Sequence, residues 1–256
     1  MDIIGNGFIA RYLRSSAGEH PDVIALAAGV SSTGTTAPAE FRREADLLDR
    51  VLTRCAAEGR RLVFFSTASA AMYGAPGCAG REDETPVPQS PYGAHKLALE
   101  ERITSSGVEH LVLRLGHAIG HGQPPHQLLP ALVSQVRGGT VRIYTGARRD
   151  IIDIVDVMAV LEALLRRGGS ELVNVASGTA VAVEDIVTHI EALLGTVADR
   201  TYVAAAQPTS GHIATTKLHR LVPAAAARLA ADGYFRGVLD RYVEAGVPVA
   251  DSTVPV

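Results

Sequence analysis

The stretch "DIIGNGFIARYLRSSAGEHPDVIALAAG", residues 2–29, decides how the rest of the chain is read. Asp2–Ile4 is a short apolar strand pattern, Gly5-Asn6-Gly7 is a turn, and Gly7–Arg14 has helical periodicity. Val23–Ala28 is a second buried strand, and it ends without an acidic residue. Only eleven residues separate Ala10 from Asp22, and the first helix takes several of them. A further strand–helix–strand crossover needs about 30 residues, so none fits in the gap.

The remaining chain alternates in the same way. Arg61–Phe65, His110–Arg114 and Leu172–Val175 read as buried strands, and Val141–Tyr144 as a shorter one. Helical patterns cover Ala39–Ala57, Tyr92–Thr104, Leu128–Arg137, Val157–Leu165 and Val183–Leu194, with an Ala-rich helix over Pro223–Glu244. Asp156 is the expected N-cap ahead of Val157, and Gly195 the expected stop after Leu194. Strands separated by helices predict an α/β fold with a mainly parallel sheet covered on both faces. The expected organisation is a core over residues 1–120, a small lobe over 121–245 and a loose tail over 246–256.

Bulk properties narrow the function classes. The 256 residues carry a net charge of −3, which offers no electrostatic basis for binding nucleic acid or an anionic membrane. Two cysteines, Cys55 and Cys78, have no metal-ligand spacing around them, which fits a reducing cytoplasm. The start at Met1-Asp2-Ile3-Ile4-Gly5 lacks the regions of a signal peptide, and no apolar run is long enough to span a bilayer.

Two groups of residues carry chemistry. At the first turn, Gly5 permits the tight bend, Gly7 lets a pyrophosphate approach the backbone, and Ala10 is small enough for the helix to pack on the strand. Helix N–H groups then face the phosphate. In mid-chain, "RLVFFSTASAAMYG" (residues 61–74) precedes "SPYGAHKLALEER" (residues 90–102). Tyr92 and Lys96 are four apart and share a helix face. An ammonium beside a phenol favours the phenolate, so Lys96 is expected to lower the Tyr92 pKa and make it an acid/base near neutral pH. Ser69, just past a buried strand, lies at the sheet edge where open α/β sheets gather reactive groups.

These segments resemble the extended short-chain dehydrogenase/reductase family, the NAD-dependent nucleotide-sugar epimerases, dehydratases and ketoreductases. "DVIALAAG" resembles the family's strand ending in Leu-Ala-Ala, and "FFSTASAAMYG" and "SPYGAHKLALEE" its catalytic segments. "LVLRLGHAIGHGQ", "RRDIIDIVDV" and "ELVNVASGTAVAVEDIVTHIEALLG" resemble later family stretches. The similarity runs from Asp22 to about Gly195, and more loosely to Glu244. It implies a truncated Rossmann-like, doubly wound parallel sheet with a small C-terminal substrate-binding lobe. It implies Tyr92 as general acid/base, Lys96 as its tuner and nicotinamide-ribose ligand, and Ser69 as the group on the reacting oxygen. Gly5, Asn6, Gly7, Phe8, Ile9, Ala27 and Ala28 would line the NAD or NADP site, and His117 and Arg149 would meet the substrate, a nucleotide-sugar, through its diphosphate at Arg149. The family resemblance also implies a homodimer through Ala39–Ala57 and the helix of Tyr92.

The departures from the family pattern matter as much. Its second and third strands are missing, and with them the adenosine wall and ribose acid, so NAD(P) binds weakly, binds with a partner's help, or does not bind. The first strand is then expected at a sheet edge, short, covered or paired. Ala70-Ala71 follow Ser69 where 4,6-dehydratases carry Asp-Glu, which argues against that elimination. His117 stands where the family often has Asn and could contact substrate or titrate near neutral pH. His95 is expected on another helix face without a catalytic part, and Cys78 and Glu82 fall in a loop that holds extra acid/base groups in some members. Three readings stay open: an NAD(P)-dependent epimerase or ketoreductase, a cofactor-free isomerase, lyase or cyclase using the same Ser-Tyr-Lys set, and a non-catalytic sugar-nucleotide binder.

Overall fold

The computed structural model describes residues 1–30, 37–205 and 211–244; the tail expected to be loose lies outside them. In chain order the elements are β1 (Asp2–Ile4), α1 (Phe8–Leu13), β2 (Val23–Leu26), α2 (Pro38–Glu58), β3 (Arg61–Thr67), α3 (Ala70–Tyr73) and α4 (Pro91–Ser105). Next come β4 (His110–Leu115), β5 (His117–Ile119), α5 (Leu128–Arg137), β6 (Thr140–Tyr144), β7 (Arg148–Asp153) and α6 (Ile154–Arg167). The chain continues through β8 (Glu171–Val175), β9 (Ala180–Ala182), α7 (Val183–Leu194), β10 (Asp199–Val203), α8 (Thr216–Leu221), α9 (Pro223–Leu229) and α10 (Tyr234–Glu244).

The principal sheet has the order β1-β2-β3-β4-β8, every pair parallel. All residues of β2, β3 and β4 are buried, as their near-continuous apolar runs require when helices cover both faces. On one face Leu48, Val51 and Leu52 of α2 and Leu99 and Ile103 of α4 pack on Ile24, Leu62, Phe64 and Val112. On the other, α1, α6, α8 and α9 bring Leu13, Val157, Leu161, Leu218 and Leu229 onto Val63, Phe65 and Leu113. A separate apolar cluster joins α5, β6, α7 and α10 through Leu132, Ile143, Ile186 and Leu239.

β1 is an edge strand of three residues, bonded only to β2 among the described residues. It is short and half-buried, as expected of a strand left at an edge. Gly5 has φ +137°, and a Cβ there would lie 2.4 Å from the Ala27 carbonyl oxygen. The turn therefore requires glycine both for conformation and for close packing on the end of β2.

Two expectations are corrected. The cap of α6 is Asp153, whose carboxylate accepts from Val155 N at 2.8 Å; Asp156 lies inside the first turn and accepts from the Tyr234 hydroxyl at 2.6 Å. The helix begins earlier because Asp153 is fully buried and held by Tyr242 and Arg241 of α10. The Ala-rich C-terminal segment is two helices, broken where Gly233 takes φ +72°. The strands β5, β7, β9 and β10 and the helix α8 were not read from the sequence; they are short and sit on irregular segments.

A buried polar network underlies the C-terminal half of the sheet. Arg114 on β4 and Glu100 on α4 are 3% and 2% exposed. Arg114 Nε donates to the Glu100 carboxylate at 3.0 and 3.1 Å, and Nη1 donates to the Tyr73 hydroxyl. Tyr73 donates to Asn174 Oδ1 at 3.0 Å, and Asn174 Nδ2 donates to the Gly80 and Ala214 carbonyls. Removing one member strands the opposite charge away from water. Glu100→Leu or Arg114→Leu is expected to cost roughly 3–5 kcal/mol in denaturant unfolding, and the double substitution distinctly less than the two summed.

Candidate active site

The sheet's C-terminal edge opens into a cleft of about 360 Å³. Its walls come from the start of α1 (Phe8, Ile9), the end of β3 (Phe65, Ser66, Thr67, Ser69), α4 (Tyr92, Lys96), β5 (His117) and β7 (Arg149). Val30, Gln123 and His126 also line it. Open α/β sheets place ligands at this edge because the strand ends and helix N-termini converge there.

Helix α4 is aimed by local chemistry. Ser90 caps it by accepting from Gly93 N at 3.1 Å, and Pro91 occupies the first turn, where its missing N–H costs nothing. A Cβ on Gly93 would stand 2.0 Å from the Ala71 carbonyl oxygen, so glycine lets α4 close onto the segment after Ser69. Tyr92, Lys96, Leu99, Glu100 and Ile103 form its buried face.

Ser69, Tyr92 and Lys96 all line the cleft, and all are at least nine-tenths buried. The Thr67 hydroxyl joins them. It donates to Ser69 Oγ at 2.9 Å and accepts from Ser69 N at 3.1 Å, and its nearness to the Tyr92 phenol pulls that pKa down. The Lys96 ammonium lies 5.8 Å from the Tyr92 ring centroid. The hydroxyls of Tyr92, Thr67 and Ser69 thus line the cleft together, and Thr67 was not legible in the sequence because it sits inside an apolar strand.

Lys96 does pull the Tyr92 pKa down, but the expectation that this makes Tyr92 an acid/base near neutral pH is corrected. Burial raises that pKa, Lys96 and Thr67 pull it down, Glu44 pushes it up, and the balance is upward. Glu44 is the residue the sequence reading did not anticipate. It is 3% exposed on α2, and its Oε1 accepts from Lys96 Nζ at 2.7 Å. Its Oε2 accepts from Val30 N at 3.0 Å and meets His95 Nε2 at 3.0 Å. His95 therefore does not point away from the cluster; it stacks on Phe41 with 4.5 Å between ring centroids. An acid two turns into an amphipathic α2 could have signalled this only through its place on the buried face beside Leu48, Val51 and Cys55.

His117 and Arg149 form the facing wall. Burial, helped by the Arg149 charge, lowers the His117 pKa to about 3, so it does not titrate near neutral pH. Arg149 is half-buried and donates to the Arg148 carbonyl at 2.8 Å, whereas Arg148 is exposed and bound to the Ala180 carbonyl. Gly5, Asn6, Gly7, Ala27 and Ala28 lie at the ends of β1 and β2 beside the cleft rather than in its wall, and Asn6 accepts from Arg14. Glu82 and Cys78 are outside the cleft: Glu82 accepts from Asn174 N at 2.9 Å, and Cys78 packs near Met72 and Tyr73.

Burial raises the Glu44 pKa, but the His95 ring, the Lys96 ammonium and the Val30 N–H together carry it down from 4.5 to about 2. A carboxylate depressed in the folded state stabilises the fold above its unfolded pKa and loses that contribution as pH falls towards the folded one. Unfolding free energy is therefore expected to drop between about pH 4.5 and pH 2. Denaturant melts across that window should show a shallower drop for Glu44→Gln than for the wild type.

Comparison with known proteins gives the family. The model of the NAD dependent epimerase/dehydratase family matches residues 9–176. The dTDP-6-deoxy-L-talose 4-dehydrogenase (NAD(P)(+)) of Kitasatospora kifunensis is 29% identical over 66% of this chain and 58% of its own. The UDP-glucose 4-epimerase of Streptomyces lividans is 30% identical over 53% of this chain and 48% of its own. The chain thus spans about half the length of the curated relatives it matches. The solved structure of MoeE5 in complex with UDP-glucuronic acid and NAD is 25% identical, with a TM-score of 0.68 over 79% of this chain and 73% of that one. With the parallel sheet, the glycine turn and the clustered Ser69, Tyr92 and Lys96 in place, the chain belongs to the NAD-dependent epimerase/dehydratase family.

Proposed function

We propose that this protein is an epimerase or ketoreductase that acts on a nucleotide-sugar or a similar carbonyl or alcohol compound, using NAD or NADP. The observation that carries the reading is the convergence of Ser69, Thr67, Tyr92 and Lys96 in one cleft at the C-terminal edge of the sheet. The relatives' names and the MoeE5 complex support the substrate class and the cofactor.

The nicotinamide end of such a cofactor fits the residues. Lys96 has three N–H donors and spends one on Glu44, which leaves two for ribose hydroxyls. Phe8, Ile9, Val30 and Phe65 supply apolar wall. The adenosine end fits poorly: among the described residues nothing stands beyond β1 at the sheet edge. When bound, the nicotinamide supplies hydride acceptance or donation at a sugar carbon.

The chain's own residues handle the proton. Ser69 Oγ holds the reacting oxygen, and Tyr92 gives a proton to it or takes one from it through hydrogen-bond contact. Thr67 keeps the two hydroxyls in register. Arg149, a planar fork facing the cleft, suits a diphosphate oxygen pair, and neutral His117, whose N–H faces the Asp150 carbonyl, offers a sugar hydroxyl its acceptor nitrogen. A homodimer through α2 and α4, in the cytoplasm, completes this reading.

The edge position of β1 favours a second reading, in which the same hydroxyls catalyse a proton-transfer isomerisation without a cofactor. Turnover in buffer free of nicotinamide would select it.

Tyr92→Phe is expected to reduce kcat about 10²–10⁴-fold on a nucleotide-sugar substrate, with little change in KM. Unchanged turnover would remove the phenol from the mechanism. NADH and NADPH are expected to bind the isolated chain more weakly than micromolar, since each lost charge-assisted hydrogen bond weakens binding by roughly 1.5–3 kcal/mol. Micromolar affinity in a fluorescence titration would show that the adenosine end is held after all.

A further inference from the structure

We infer that Glu44 is a positioning residue that clamps Lys96 and spends its charge, so that the ammonium is less able to stabilise an ionised Tyr92. The inference rests on the reading of Tyr92 as the acid/base and adds a residue that opposes its ionisation.

The geometry is specific. Glu44 Oε1 and Lys96 Nζ are 2.7 Å apart, with side chains 2% and 5% exposed. The second carboxylate oxygen is held by Val30 N and by His95 Nε2, both at 3.0 Å, so the group has no room to swing away. Gly29 completes the cage: it is exposed, yet a Cβ on it would stand 2.1 Å from Glu44 Oε1. Phe41 stacks on His95 from the same helix as Glu44. The loop after β2, α2 and α4 thus meet on one carboxylate.

The consequence follows from counting charge. With Glu44 present, the Lys96 ammonium is already balanced. Ionising Tyr92 would then leave an uncompensated negative charge in a buried site, which is costly. Without Glu44, the phenolate and Lys96 would form a neutral pair. The raised pKa of Tyr92, to which burial and the Glu44 charge both contribute, agrees with this. The other ionisable groups about the cluster are His95 on α4, His117 on β5, Arg149 on β7 and His126 ahead of α5. His117 is held neutral; of the charges that act on Tyr92, Lys96 favours the phenolate and Glu44 opposes it. In the direction in which Tyr92 donates, its O–H bond breaks and an O–H bond forms on the substrate oxygen. The phenolate left behind stands beside Lys96 and is reprotonated from solvent.

The test reads the ionisation of Tyr92 directly. Near-ultraviolet difference absorbance of the protein minus its Tyr92→Phe counterpart isolates one of seven tyrosines. In Glu44→Gln the phenolate-to-phenol ratio at a fixed alkaline pH is expected to rise about tenfold, the low end of what one neighbouring charge does. Glu44→Asp should restore part of the wild-type ratio. An unchanged or lower ratio in Glu44→Gln overturns the inference. If Glu44→Gln does not fold, the charge pair is removed together: in Glu44→Gln/Lys96→Met the ratio is expected to stand about tenfold above that of Lys96→Met alone, and equal ratios overturn the inference. The titration needs neither cofactor nor substrate. An active enzyme with an unmoved titration would keep the proposed function and lose the role of Glu44, and an inactive one with a shifted titration would do the reverse.

Discussion

Helix α4 buries charge, and each buried charge is met by a partner from another element. Its inward face carries Lys96 and Glu100 among Tyr92, Leu99 and Ile103. Lys96 is neutralised by Glu44 of α2, and Glu100 by Arg114 of β4. An unpaired ion in either place would cost several kcal/mol of desolvation, enough to offset what burying Leu99 and Ile103 returns. The two pairs therefore set where α4 can sit. Tyr92 and the cleft follow, because Tyr92 lies one turn before Lys96 and two before Glu100 on the same face.

The two pairs differ in what they do. Glu100–Arg114 is a closed network, tied through Tyr73 and Asn174 to loops at residues 80 and 214, with its hydrogen bonds made internally. It is floor. Glu44–Lys96 borders the cleft, where Lys96 keeps donors free for a ligand and Tyr92 feels both charges. The same buried-charge constraint thus yields a structural support at one end of the helix and a charge pair beside the cleft at the other. On the opposite wall, the Asp150 carboxylate accepts from Ser177 and Gly178, and burial lifts its pKa to about 6. It fixes the loop after β8 against β7, and so the strand that presents Arg149.

The sheet's other end is simpler. β1 has one neighbour, and the Gly5 turn is pressed onto the end of β2 so closely that no side chain fits. This preserves the strand–turn–helix geometry that brings Phe8 and Ile9 into the cleft. Beyond β1 the described chain builds nothing. The cleft is thereby furnished with polar groups from β3 towards β7 and with the apolar Phe8, Ile9 and Val30 on the side of β1 and β2, an asymmetry that shapes any ligand able to occupy it.

Much of the fold was legible because parallel strands buried on both faces must be continuous apolar runs, and β2, β3, β4 and β8 are such runs separated by periodic helices. The Tyr92–Lys96 pair was legible because a spacing of four is a local property of a helix. The short gap to Val23, set against the strand order of the family the chain resembles, placed β1 at an edge. Cap position at Asp153, the break at Gly233 and the short strands β5, β7 and β9 were not, since each is decided by contacts with distant elements rather than by neighbours in the chain. The cluster around Glu44 belongs wholly to tertiary structure. Glu44 and Lys96 are 52 residues apart, and nothing local distinguishes a helical glutamate that meets water from one that meets a buried ammonium. The sequence by itself determined which hydroxyl, phenol and amine the chain carries and the helix that aligns two of them. Only the folded packing decided their charge state, because ionisation depends on burial and on charges that arrive from elsewhere in the fold.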